Sequence, residues 1–185
     1  MTLPLIAAAL VTAMNPLRLA VAAPSDPLLR SRTVALAVCG MVGSGVLLAW
    51  WSSPIAGSVD VSGSSTIIAA GLALVVIGAR DAIIRPPEAD TGLNGVGSAL
   101  VPMFFPTLFT PAMAILAIAS GIERGVLSTL AALVIAGVII AAVTMGVSPD
   151  LAKRRRSSVR LSASVTGLLG VVLGGVVATH GVMSI

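Results

Sequence analysis

Charge is almost missing from long stretches of this chain. Of its 185 residues only 18 are charged, and they cluster so that apolar runs of roughly 20 residues lie between them, the length an α-helix needs to cross the hydrocarbon core of a bilayer. A soluble domain carries about a quarter of its residues as charges; here the share is 10%, with 57% hydrophobic and a mean hydropathy of +1.08. Lipid supplies no hydrogen bonds, so a spanning backbone must be helical or a closed barrel. The continuous Ala, Val, Leu, Ile and Gly runs lack the polar alternation of barrel strands. The expected fold is therefore an all-α integral membrane protein, a single membrane domain over residues 1–185.

Six spans are predicted, at residues 3–23, 33–51, 65–84, 96–119, 125–147 and 161–182. Connectors carry turn and charge signals, among them Pro24-Ser25-Asp26-Pro27, Ser52-Ser53-Pro54 and Gly121-Ile122-Glu123-Arg124. Nine of the eleven bases, namely Arg30, Arg32, Arg80, Arg85, Lys153, Arg154, Arg155, Arg156 and Arg160, fall at odd-numbered connectors, and only Arg124 falls on the opposite side. By the positive-inside rule the odd connectors face the cytoplasm and both termini face outward, with Trp50 and Trp51 at an outer interface. The pI of about 11.1 is thus a topology signal, and with 3% aromatic residues there is no stacking platform for nucleic acid. The first span lacks the basic n-region of a signal peptide and is interrupted by Asn15, Pro16 and Arg18.

The chain also resembles itself. Residues 70–78 (AGLALVVIG) match 166–174 (TGLLGVVLG) at an offset of 96, and Asn15-Pro16 matches Thr110-Pro111 at an offset of 95. Near-equal offsets indicate duplication of a three-span unit, about 1–85 and about 96–185. Three is odd, so the copies enter the membrane from opposite faces. The expected architecture is a 3+3 inverted-topology repeat, whose substrate site lies where corresponding helices are broken.

Proline inside a span removes one backbone hydrogen bond and frees a carbonyl. Pro16 and Asn15 do this in the first span; Pro102, Pro106 and Pro111, with Thr107 and Thr110, do it in the fourth. Freed carbonyls and polar side chains suit a small solute or an ion; the alternative is a pair of kinked helices whose threonines bond their own backbone. Phe104, Phe105 and Phe109 either wall a substrate cavity or fill the gap opened by a kink. Arg18 either snorkels about 8 Å to the interface or meets an anionic substrate group. Arg80 and Asp81 read as an interfacial anchor, with an ion or gating role for the pair as the other reading, and no Asp, Glu or Lys falls in mid-span. Gly167, Gly170 and Gly174 form a small-residue face for helix packing within the monomer, His180 lies near an interface, and the basic run touches anionic lipid. Cys39 is the single cysteine, so no disulfide, metal site or other cofactor is expected, and no nucleophile or base constellation marks an enzyme.

The Asn-Pro of the first span, "VPMFFPTLFTP" opening the fourth and "SGSSTIIAAGLALVVIGARD" at residues 62–81 resemble the MarC family of small bacterial membrane proteins, within the wider LysE-like exporter group. The resemblance implies a plasma-membrane exporter of amino acids or other small metabolites, with Asn15, Pro16, Pro106 and Pro111 framing the pathway. Substrate-binding candidates are then Asn15, Pro16, Arg18, Phe105, Pro106, Thr107, Thr110 and Pro111. The glycines that the family carries near these prolines are replaced, since Leu17-Arg18 follows Pro16 and Thr110 precedes Pro111. That departure supports a second reading, a non-transporting accessory or structural subunit of a larger membrane complex. Expected partners are the bilayer, a small solute, and either further copies of the chain or other membrane subunits.

Overall fold

The computed structural model of the protein describes residues 1–24, 26–83, 104–105, 107–147 and 156–185. Among them no strand occurs, and four helices are long and apolar enough to cross a membrane: Pro27–Trp50, Gly63–Ile83, Pro111–Gly146 and Leu161–Met183.

The segment expected to form the first span is divided. Helix α1 (Leu3–Met14) ends at Asn15, whose φ of 40° and ψ of 85° are left-handed, and α2 (Pro16–Ala22) begins at once. Asparagine is among the non-glycine residues that tolerate this region best, and proline is suited to a first helical position. Helix α3 (Pro27–Trp50) starts at Pro27, and the Asp26 carboxylate accepts from the Leu29 amide at 2.8 Å, a side-chain cap. Its 24 residues extend about 36 Å. At its end Trp50 and Trp51 are exposed, and the Ser52-Ser53-Pro54 connector forms a short helix α4 (Ser52–Ser58), followed by α5 (Gly63–Ile83).

Helix α6 (Pro111–Gly146) is not a straight rod of about 54 Å. At Gly125 φ is 80° and ψ is 171°, a conformation essentially reserved for glycine. The Ser120 and Thr129 hydroxyls lie 2.8 Å apart, although nine residues of straight helix would separate them by about 13.5 Å. The chain therefore doubles back, and a Cβ on Gly45 of α3 would meet both Met113 and Leu133. The connector expected at Gly121-Ile122-Glu123-Arg124 stays helical; the reversal falls one residue later because only Gly125 accepts its dihedrals. Limb 111–124 runs parallel to α3, with Gly121 against Ala49, and limb 126–146 runs antiparallel, with Gly137 against Val38. The expected start of the fourth span at residues 96–103 lies outside the described residues.

Helix α7 (Arg156–Met183) packs antiparallel on α5 at backbone contact. A Cβ on Gly71 would lie 2.6 Å from the Gly174 carbonyl oxygen and 2.5 Å from the Ala178 nitrogen; a Cβ on Gly167 would lie 2.6 Å from both the Gly78 oxygen and the Ala82 nitrogen. Each contact becomes the other when 96 is added to one residue number and subtracted from its partner. The glycine face expected to pack inside the monomer does so. Leu10, Met41, Leu74, Leu116, Leu133 and Ile140 fill the interior, while Leu47, Val76, Leu127, Val138 and Val172 face outward, as in a bundle whose surroundings are apolar.

Candidate functional site

The break at Asn15 gathers the polar groups buried in this half of the bundle. Helix α1 lies antiparallel to α7, so Asn15 arrives beside Ala163 and the end of α5. Its Nδ2 donates to Asp81 Oδ2 at 3.1 Å and to the Ala163 carbonyl at 3.3 Å. One turn later Arg18 pairs with Asp81 Oδ1 at 3.0 Å. The carboxylate is thus held on both oxygens, and its residue is only 7% exposed. Apolar surroundings make such a pair costly to form and costlier to break by removing one partner.

This overturns two expectations. Arg80 and Asp81 do not act as one interfacial anchor: Arg80 is exposed and Asp81 is buried, because successive helical residues point about 100° apart. Asp81 is a buried carboxylate, although it lies at the third residue from the end of α5 and not in mid-span. Of the two readings for Arg18, snorkelling fails, since α2 carries its guanidinium inward onto Asp81.

The second break comes close to the first. Thr110 is extended (φ −96°, ψ 155°), its hydroxyl caps the Met113 amide at 3.1 Å, and it donates to the Ala13 carbonyl at 3.4 Å. Two helices that begin on proline, α2 at Pro16 and α6 at Pro111, thus start beside one another. Just before Thr110 the Phe109 amide bonds the Phe104 carbonyl at 2.8 Å, five residues back, a wide π-type turn. Pro16 is buried and Pro111 exposed.

The phenylalanines separate. Phe104 and Phe109 pack with ring centroids 5.7 Å apart, and Phe104 covers Gly40, filling the gap beside the break. Phe105, expected at the substrate, points outward with 57% of its surface exposed. Thr107 is half-buried. Pro106, Pro102 and Arg85 lie outside the described residues.

Two clusters escaped the sequence. Arg30, read as a topology charge, is buried, and its guanidinium donates to the carbonyls of Thr144 and Val147, the latter at 2.6 Å. It caps the end of limb 126–146, where orphan carbonyls and the dipole favour a cation. At the opposite end Glu123 bonds the Met1 amino group and approaches His180 Nε2 at 3.3 Å. A shallow depression of about 260 Å³ lies there too, lined by Leu3, Ile6, Arg124, Leu127, Ser128 and Ala131; it is apolar and far from Asn15. Among the described residues no group of three or more His, Cys, Asp or Glu is placed to hold a metal ion.

No family model matches this chain, and no curated protein or solved structure matches it at a significant level.

Proposed function

We propose that the protein is a divergent relative of the MarC family: a six-span, 3+3 inverted repeat in the bacterial plasma membrane that moves a small solute, an amino acid or similar metabolite, outward between its two broken helices. The observation that carries this reading is the meeting of the breaks, in which Thr110 of one proposed repeat donates to the carbonyl of Ala13 in the other. Interrupted helices paired in this way are the usual frame of a midplane transport site. The glycine contacts exchanged between α5 and α7 at an offset of 96 support the duplication. The amino group of Met1 lies 2.8 Å from His180 Nε2, which supports both termini sharing one face, taken here as the outer one, with Arg30 and Arg32 on the cytoplasmic side.

A second reading, the accessory subunit, is favoured by one observation: Arg18, the candidate for a substrate carboxylate, is already engaged by Asp81. Reconstituted protein separates the two. Transport predicts amino-acid counterflow that Asn15→Ala and Thr110→Ala each reduce at least tenfold. No flux with any small solute, together with co-purification of a larger assembly in mild detergent, would leave the accessory role.

A further inference from the structure

The break at Asn15 holds a buried side-chain oxygen that nothing donates to. Asn15 is 1% exposed and both hydrogen bonds of its amide leave from Nδ2, so Oδ1 is a buried acceptor without a donor. Exchanging O and N would not cure this, because it would turn an oxygen onto the Asp81 carboxylate. Pro16 brings no N–H to the carbonyl of Thr12, and the Arg18 amide bonds the carbonyl of Asn15 at 3.0 Å in place of that of Met14. The last carbonyls of α1, at the negative end of the helix dipole, thus lose partners that a continuous helix would give them. The Thr110 hydroxyl, which accepts from the Met113 amide, comes to 3.4 Å from the carbonyl of Ala13 and keeps one lone pair free.

An unmade hydrogen bond inside apolar surroundings is costly, and Asn15 Oδ1 follows directly on the last turn of α1, whose carbonyls have lost their helical donors. What they lack is a positive ligand. The nearby Arg18 charge does not supply it, because it is matched by Asp81 at 3.0 Å. Nor does the duplication offer a second such place: the counterparts of Arg18 and Asp81 in the other repeat are Met113 and Val177, both fully buried and apolar.

We propose that this break binds a monovalent alkali cation of sodium size, held by oxygens alone: Asn15 Oδ1, the carbonyls of Thr12 and Met14, and the Thr110 hydroxyl. Hard cations take oxygen ligands, and unwound carbonyls with a half-helix C-terminus are a known way to hold sodium inside a membrane protein. The inference concerns binding and is tested without flux, so it stands or falls separately from transport.

The test uses the full chain in detergent, unfolded by heat and followed by the fluorescence of Trp50 and Trp51, in sodium, potassium or N-methylglucamine chloride at equal ionic strength. A ligand that binds only the folded state raises the midpoint in a saturable way. Sodium is expected to raise it by several degrees over N-methylglucamine, with potassium weaker. Asn15→Gly keeps the left-handed backbone but removes Oδ1, and should abolish the sodium increment; Thr110→Val, which leaves Asn15 and Asp81 untouched, should weaken it. Binding of radioactive sodium to protein captured on beads gives a second readout should either variant fold poorly. Equal midpoints in all three salts, as a water molecule at the break would produce, or a sodium increment that survives both substitutions, would overturn the proposal.

Discussion

Gly71 of α5 and Gly174 of α7 face each other so closely that a Cβ on either would lie 2.6 Å from the carbonyl oxygen of the other. Because lipid gives helices no hydrophobic reason to associate, close van der Waals approach of this kind holds them together.

Gly71→Leu and Gly174→Leu are therefore expected to force α5 and α7 apart, each costing about 3 kcal/mol or more. The effects should be similar at the two sites, while Gly43→Ala and Gly175→Ala, where a Cβ meets nothing within 4 Å, should be neutral or slightly stabilising. Heating followed by size-exclusion chromatography reads both.

Gly125→Ala isolates backbone strain from packing. The added methyl meets nothing within 4 Å, yet φ is 80°, so the whole cost, about 1–3 kcal/mol, comes from the dihedrals. A variant with an unchanged melting temperature would show that the hairpin does not turn at this residue.

Breaking the Arg18–Asp81 pair on one side, by Arg18→Met or Asp81→Leu, is expected to cost about 3–5 kcal/mol, since it leaves the other charge buried. The double variant should recover most of that loss in a thermal-unfolding cycle. In counterflow it should stay inactive, which separates a structural pair from one that solute passage needs.

Arg30→Met should fray the end of limb 126–146 by leaving the carbonyls of Thr144 and Val147 without their donor, about 1–3 kcal/mol. Arg30→Lys keeps the charge near the helix end but not the forked geometry, so it should recover part of the loss. Faster hydrogen exchange confined to the last turn of that limb would report it.

Orientation is checked by labelling in a Cys39→Ser background. An impermeant maleimide applied to intact cells should reach Ser58→Cys and Ser184→Cys, and should reach Arg32→Cys only after permeabilisation. The opposite pattern would reverse the proposed topology.

Much of this molecule is legible in its linear order because lipid imposes blunt rules. Spacing of charge marked where α3, α5 and α7 end to within one residue and where they start to within six, and Asn15-Pro16 and Thr110-Pro111 marked the breaks, since proline removes the same hydrogen bond in any surroundings. The glycine offset was visible for the same reason, as close packing needs small residues at fixed steps. The position of the reversal within α6 was harder to see, because Ile122, Glu123 and Arg124 are all compatible with helix and only the dihedrals at Gly125 decide it.

Side-chain partnership is another matter. Arg18 and Asp81 are 63 positions apart and Arg30 and Thr144 are 114 apart; no local pattern ties either pair, and each base taken singly reads as an interfacial or topological charge. Local chemistry alone settled that the chain is helical, where it is apolar and where its helices must break. Only the tertiary placement of Arg18 of α2 beside Asp81 of α5, and the packing of α3 against the second limb of α6, decided which charges are buried together, because a charge becomes a site through the neighbour that tertiary structure brings to it.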